Sequence, residues 1–271
     1  MEPDRQISLG DIPETRAPTP ASSVSASTHT RAARVGVALL RVTVAGGVAL
    51  GVLVLTLWVA TPSAADLQSR VGAATASHGA TLLAPGDVPP LLAEAIVATE
   101  DERFYSHHGI DVIGLARAML FDVSHGCLCQ GGSTITEQLV KDLYLGGSDG
   151  GVNKLIDMTL ALKVELRSSK AQILADYLSE VPTGNGLVGV SNAACAYFGQ
   201  PLDRLGLAQV ALLAGMPQAP SAYDPRFHPG AALARRAQVL DAMADDGYVS
   251  PSVAAHAAAG PLLLRPRTAG C

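Results

Sequence analysis

Aromatic side chains are scarce in this 271-residue sequence: six tyrosines, four phenylalanines and one tryptophan make up 4% of it. β-Sandwiches and barrels draw on aromatic and β-branched residues, so this shortage beside abundant Ala and Leu favours helices. Cysteine is scarce too. Cys127, Cys129, Cys195 and Cys271 are too few for a disulfide scaffold, and Cys127-x-Cys129 lacks the spacing of a zinc ribbon or a thioredoxin-type pair. The four read as packed or incidental thiols, with a disulfide or metal role as the alternative. Charge is sparse at 16%, and 19 basic against 24 acidic groups leave −5. No basic run or basic–aromatic stripe offers itself to phosphates, which argues against nucleic acid as a partner. The Gly period of collagen is missing, and 48% hydrophobic content is too high for a disordered chain.

One long apolar run is present. Val42 to Ala60 reads VTVAGGVALGVLVLTLWVA, nineteen residues without a charge. As a helix it spans roughly 28 Å, close to the hydrocarbon thickness of a bilayer. Trp58 sits near one end, where an indole prefers the interface. Arg16, Arg31, Arg34 and Arg41 precede the run, and no acidic residue lies between Glu14 and Asp66. The positive-inside rule therefore predicts a single-pass protein of the cytoplasmic membrane, with its N-terminus inside and everything after about residue 61 outside. A signal peptide cleaved near Ser63-Ala64-Ala65 is the competing reading, but its apolar region would exceed the usual stretch of roughly 7–15 residues. A buried core helix fits worse, because Gly46, Gly47 and Gly51 are costly in soluble helices and common in membrane ones. The predicted organisation is a disordered tail over 1–34, an anchor over 35–61, a linker over 62–82 and a globular domain over 83–271. Residues 66–271 carry 14 basic and 20 acidic groups, a balance of −6, so this part is not drawn as a whole to anionic lipid.

Beyond the linker, apolar periodicity and Gly/Pro punctuation predict helices from Pro90 and over about 111–122, then from Thr134 and over 153–166, 169–180, 189–197, 204–214 and 230–244. Thr134-Ile135-Thr136-Glu137 is a capping box, with Thr at the N-cap and Glu three residues on. Ile135, Leu139 and Leu143 share the buried face of that helix, while Thr134, Gln138 and Lys141 share another. The fold class is mainly α.

Three segments concentrate polar residues that a structural helix does not need: Glu100 to Asp111, Gly131 to Asp142, and Asn153 to Asp157. Each has a bland reading alone. Glu100-Asp101 suits a solvated helix end, His107 a hydrogen-bonded structural histidine, and Lys154 with Asp157 a surface ion pair at i, i+3.

Order and spacing change that reading. The run E-D-x-x-F-x-x-H-x-G-x-D from Glu100, followed by G-G-S-T-I-T-x-Q-x-x-K from Gly131, resembles glycosyltransferase family 51, the peptidoglycan glycosyltransferases that polymerise lipid II. The resemblance continues through Tyr177-Leu178, Tyr197-Phe198-Gly199 and Leu212 to Ser221, covering about residues 83–245. It implies a lysozyme-like, mainly helical glycosyltransferase domain behind a single N-terminal transmembrane helix, as in the monofunctional members. No lysine has a Ser three positions before it and no K-T-G follows, so the transpeptidase signature is missing. The resemblance implies Glu100 as general base and Asp157 as a second catalytic carboxylate. Lys141 and Lys154 match the family's pyrophosphate-binding lysines. Asp101, Phe104, His107, Ser133, Thr134, Glu137 and Gln138 match the positions that line the substrate cleft. The implied partners are lipid II, the growing glycan chain, the membrane and other cell-wall synthesis proteins.

The sequence departs from that family where charge matters. Glu137 and Asp142 stand where Gln and Asn are usual, and Asn153 and Asp157 stand where the third motif has Arg and Glu. Two like charges about 5 Å apart repel by roughly 3 kcal/mol at an effective dielectric of 20. A carboxylate beside a pyrophosphate would therefore weaken binding; pairing of Glu137 with Lys141 along its helix would in turn occupy a lysine wanted by the phosphate, whereas a divalent cation such as Mg²⁺ would bridge Glu137 or Asp157 to the phosphates. Two other functions fit less of the pattern. One is a catalytically impaired scaffolding relative, and the other a lytic glycosidase with Glu100 and Asp157 as its carboxylate pair.

Overall fold

A computed structural model describes residues 25–126, 131–148 and 150–266. The helices, in chain order, are α1 (Ser25–Ala60), α2 (Leu67–Ser77), α3 (Pro90–Glu100), α4 (Val112–His125), α5 (Ile135–Leu145), α6 (Val152–Glu165), α7 (Lys170–Glu180), α8 (Val190–Phe198), α9 (Leu207–Gly215), α10 (Pro229–Asp245) and α11 (Pro251–Ala259). Short 3₁₀ turns lie at Pro85–Asp87 and Leu202–Arg204, and one isolated bridge joins Pro182 to Val188. The mainly α class read from composition is the class observed.

Local chemistry sets the boundaries. Pro90 opens α3, where a missing N–H is harmless. The Asp111 carboxylate accepts the Ile113 amide at 3.1 Å to start α4, and Gly126 ends it at φ +63. Thr134 and Glu137 form the reciprocal capping box at the start of α5: Glu137 N donates to Thr134 Oγ1 at 3.1 Å, and Thr134 N donates to Glu137 Oε2 at 2.8 Å.

The chain divides into two units, Met1–Leu55 and Thr56–Cys271. In the first, α1 is apolar on all sides, with Val35, Leu39, Val44, Leu50 and Leu55 exposed. Its stretch Arg34–Ala60 is long and apolar enough to cross a bilayer. The helix begins at Ser25, ahead of the anchor boundary predicted at residue 35, because no proline or glycine interrupts residues 25–35. Of the predicted disordered tail, residues 1–24 lie outside the described residues.

In the second unit, α7 is the central helix. Ile173, Leu174, Ala175, Tyr177 and Leu178 are all buried, and α2, α5 and α8 pack around it. The apolar α9 is sandwiched by α3, α10 and α11. Because α3 lies against both α9 and α10 while α5 lies against α6 and α7, the C-terminal end of α3 comes to rest between two packed groups of helices. That end is Glu100.

Residues 62–82 are not merely a linker. Within them α2 buries Leu67, Val71 and Thr75 on one face, and Gln68 Nε2 donates to Asp176 Oδ2 on α7 at 2.6 Å. The i, i+4, i+8 spacing is helical, but only two of the three residues are strongly apolar, so the periodic signal is weak. Nor was α11 predicted. It is held by the buried Arg236 guanidinium, which donates to the carbonyls of Ala258 at 2.8 Å, Pro261 at 3.0 Å and Gly260. Cys195 is disulfide-bonded, so for this residue the alternative reading, a disulfide, replaces that of a thiol. Cys127, Cys129 and Cys271 lie outside the described residues.

Leu67→Ala tests whether α2 belongs to the core. It should destabilise the chain by about 2–4 kcal/mol in denaturant unfolding, the usual cost of truncating a buried leucine. A change within about 0.5 kcal/mol, typical of surface sites, would return residues 62–82 to the status of a linker.

Candidate active site

A polar groove of about 370 Å³ opens between the end of α3, the start of α4, the start of α5 and α10. Glu100, Asp101, Ser133, Thr134 and Gln138 line it, together with Arg117, Gln218 and Arg235.

Glu100 occupies the last position of α3 with only 9% of its side chain exposed. Its Oε2 accepts from Gln138 Nε2 at 3.0 Å. The other oxygen, Oε1, accepts no hydrogen bond from the described residues, and the Arg235 Nη2 stands 3.5 Å away, at ion-pair distance but without hydrogen-bond geometry. Burial pushes the carboxyl above its ordinary value, Asp101 adds to the rise, and Gln138 with Arg235 oppose it. The result is a carboxylate more basic than an exposed glutamate, with one buried oxygen unpaired among the described residues.

Gln138 is itself fixed. The hydroxyl of Tyr177, fully buried on α7, donates to Gln138 Oε1 at 3.2 Å. A donor on one side and the Glu100 acceptor on the other leave the amide one orientation. Three helices thus meet at one carboxylate.

Asp101 and His107 are built in beneath. The Asp101 carboxylate accepts from His107 Nε2 at 2.9 Å and from the Ile135 backbone N–H, the first of α5, at 3.0 Å. Gly109 N donates to His107 Nδ1 at 3.2 Å, so Nε2 carries the imidazole proton. Gly109 has φ +94, and a Cβ there would stand 2.8 Å from the Ala161 carbonyl carbon, so the loop reaches α6 only without a side chain. Thr134 Oγ1 donates to Gly109 O at 2.7 Å, tying the same loop to α5. Asp101 touches the groove wall, whereas His107 is buried and positions it.

Six predicted site residues lie outside the groove lining: His107 beneath Asp101, Lys154 at its edge, and Phe104, Glu137, Asp157 and Lys141. Phe104 is fully buried, edge-on to His107 and beneath the Lys170 ammonium at 4.3 Å, so it belongs to the core and not to the groove lining. Glu137 is buried outside the groove lining; burial raises its carboxyl, and Lys154 lies 3.4 Å from Oε1. The expected Glu137–Lys141 pairing within α5 gives way to this contact with α6. Asp157, proposed as catalytic, is also buried, with Oδ2 3.5 Å from Lys154, and lies outside the lining. Lys141 is half-buried on α5 and does not line the groove.

Lys154 links these groups to the groove. Its ammonium donates to Ser133 Oγ at 3.0 Å while lying between Glu137 and Asp157. The positive charge expected from Mg²⁺ is therefore already supplied at that point by Lys154. Among the described residues no group of three His, Cys, Asp or Glu side chains is placed to hold a metal by itself, and an ion bridging one carboxylate to a substrate phosphate stays a proposal.

Arg117 and Arg235, not singled out from the sequence, line the groove. Arg117 pairs with Glu102 at 2.7 Å in an exposed contact, and such pairs are weak enough to exchange for an anion. Arg235 is held by the Gly215 carbonyl at 3.1 Å and lies over the Tyr223 ring. Nothing local in the chain points from residue 235 to residue 100; only the packing of α3 on α10 does.

Arg235→Met removes a charge that lowers the Glu100 carboxyl. If Glu100 must be ionised to act, the acid limb of kcat/KM should move to higher pH. An unmoved limb, or one moved to lower pH, contradicts the pairing.

Comparison with known proteins identifies the family. Residues 68–244 match the transglycosylase family. A protein named as a transglycosylase from Cupriavidus necator is 41% identical over 180 residues, 66% of this chain and 78% of that one. Penicillin-binding protein 1A of Aquifex aeolicus is 40% identical over 178 residues, and that of Escherichia coli 40% over 163. The matches cover 66% and 60% of this chain but only 24% and 19% of those longer proteins. A crystal structure of penicillin-binding protein 1A from Haemophilus influenzae aligns over 71% of this chain and 19% of that one, with a TM-score of 0.40 and 22% identity. The motifs, the groove they build and the matched span lead to one assignment: the chain belongs to the transglycosylase family, the peptidoglycan glycosyltransferases of family 51.

Proposed function

We propose that this protein is a membrane-anchored peptidoglycan glycosyltransferase that polymerises lipid II into β-1,4 glycan strands, releasing undecaprenyl pyrophosphate. The observation that carries the reading is Glu100 Oε1, a buried carboxylate oxygen with no hydrogen-bond donor among the described residues, in a groove that Arg117 and Arg235 also line. In the reaction this oxygen takes the proton from the acceptor sugar's 4-hydroxyl as that oxygen attacks the anomeric carbon of the α-linked donor chain. The C–O bond to pyrophosphate breaks, and the configuration inverts. A base with a raised pKa suits a hydroxyl that becomes acidic only as it attacks.

Negative charge grows on the leaving pyrophosphate, so cations must already be in place. Arg117 and Arg235 line the groove, and Lys154 reaches its edge through Ser133. Glu137, whose extra charge argued for an impaired relative, is buried away from the groove beside Lys154 and the Thr134 N–H. That burial favours an active enzyme over a scaffolding module. A lytic glycosidase needs two carboxylates flanking the bond, and the burial of Asp157 under Lys154 leaves Glu100 without that partner. Its role is to hold Lys154.

The lipid ends of both substrates belong in a bilayer. The long apolar α1 suits an anchor with its N-terminus inside the cell and the groove outside. Helix α4 bears exposed Val112, Ile113, Met119, Leu120 and Val123 beside the groove, apolar surface suited to lipid chains.

Polymer formation from purified lipid II is the direct test. The native chain should yield glycan and Glu100→Gln should yield at least about 10³-fold less, as when the group performing the chemistry is removed. Equal polymer from both would reject the mechanism, and muropeptides released from purified sacculi would favour the lytic reading. A chelator tests the metal expectation. With Lys154 supplying the positive charge, chelation should affect the native chain and Glu137→Gln alike, and a loss confined to the native chain would restore a cation at Glu137.

A further inference from the structure

A second hollow, of about 550 Å³, lies between the last turn of α1 and the C-terminal end of α6, away from the groove. All its lining residues belong to the second unit. Its floor is Lys163. That ammonium shares its three N–H groups among four oxygens, Trp58 O at 2.7 Å, Thr61 O and Thr61 Oγ1 at 2.8 Å, and Pro62 O at 2.9 Å. It also lies 5.2 Å from the centre of the Trp58 ring. The oxygens are neutral, so the full positive charge of Lys163 remains in the floor. Burial lowers its pKa, and the neighbouring Arg167 lowers it further.

Arg167, on the wall, is exposed, and its guanidinium has no hydrogen-bond or ion-pair partner among the described residues. No acidic residue lines the hollow. Ser63 Oγ accepts the Ala65 amide at 3.4 Å, and its own O–H is left to donate. Two cations side by side with no counter-charge form a site for an anion. The rim is apolar: Leu166 is 74% exposed and Val59 is 75% exposed. An anion flanked by such side chains must itself carry hydrocarbon.

We infer that this hollow binds the phosphate of an anionic phospholipid, with Arg167 and Ser63 meeting the headgroup, Lys163 supplying charge from below, and Leu166 and Val59 touching the acyl chains. The inference rests on the membrane-anchored reading above, which sets the end of α1 at the bilayer surface, where the indole of Trp58 is at home. Residues 66–271 are net negative, so attraction to anionic lipid must come from such a local site rather than from the domain as a whole. A zwitterionic headgroup fits poorly. Its own cation would face Lys163 and Arg167, and Lys163 already covers one face of Trp58.

Native mass spectrometry of the full chain in mild detergent, with equimolar phosphatidylglycerol and phosphatidylcholine, tests the site. The native chain should retain phosphatidylglycerol preferentially, and Arg167→Gln should retain at least about fivefold less of it, the worth of one cation at an anionic surface. Polymerisation of lipid II in detergent by Arg167→Gln should be unchanged, since Arg167 lies outside the groove. Equal retention of the two lipids, or undiminished retention by Arg167→Gln, overturns the inference. So does complete displacement of the lipid by millimolar inorganic phosphate, which would show a site for free anions. Absence of polymer from the native chain would count against the enzymatic reading alone, because lipid retention is measured independently of turnover.

Discussion

A carboxylate withdrawn from water must be met by donors, and for Asp101 those donors come from two separate stretches of chain. One is the His107 ring, six residues on; the other is the first backbone N–H of α5, thirty-four residues on. Breaking either contact would leave a buried charge short of a partner, a larger penalty than the contact itself contributes. Asp101 therefore fixes where α3 ends relative to where α5 begins. Glu100 is the residue before it and Gln138 the first turn after that start, so the 3.0 Å bond between them follows from the same constraint.

The groove then separates its carboxylates by environment. Glu100 keeps one oxygen open beside Arg235, whereas Glu137 and Asp157 are held under Lys154. Burial raises both glutamates, but only Glu100 lines the groove. Two acidic groups of similar intrinsic chemistry thereby sit in different environments, which suits the one for the proposed proton transfer and the other for holding Lys154. Two of the four departures from the usual second and third motifs, Glu137 and Asp157, lie against Lys154 outside the groove lining.

Much of this was legible in the sequence where the signal is local. The capping box at Thr134, the Pro90 start and the succession of helices from α3 to α10 all depend on residues within a turn of one another. Motif spacing marked Glu100, Asp101, His107, Ser133 and Gln138, which the fold brings together. What could not be read is pairing between helices distant in the chain. Glu137 looked ready to pair with Lys141 four residues on, but α6 brings Lys154 to 3.4 Å. Arg235 has no local pattern linking it to Glu100, Phe104 shares its motif with groove residues yet points into the core, and α2 buries too few strongly apolar residues to announce itself.

The central claim is that burial, with one oxygen left unbonded, makes Glu100 an unusually basic carboxylate. Titration of ¹³C-labelled glutamate side chains by NMR measures this directly, with Glu100→Gln identifying the signal. The account predicts a Glu100 pKa above the ordinary 4.5. A value at or below 4.5 would mean that Gln138 and Arg235 outweigh burial, and would contradict it.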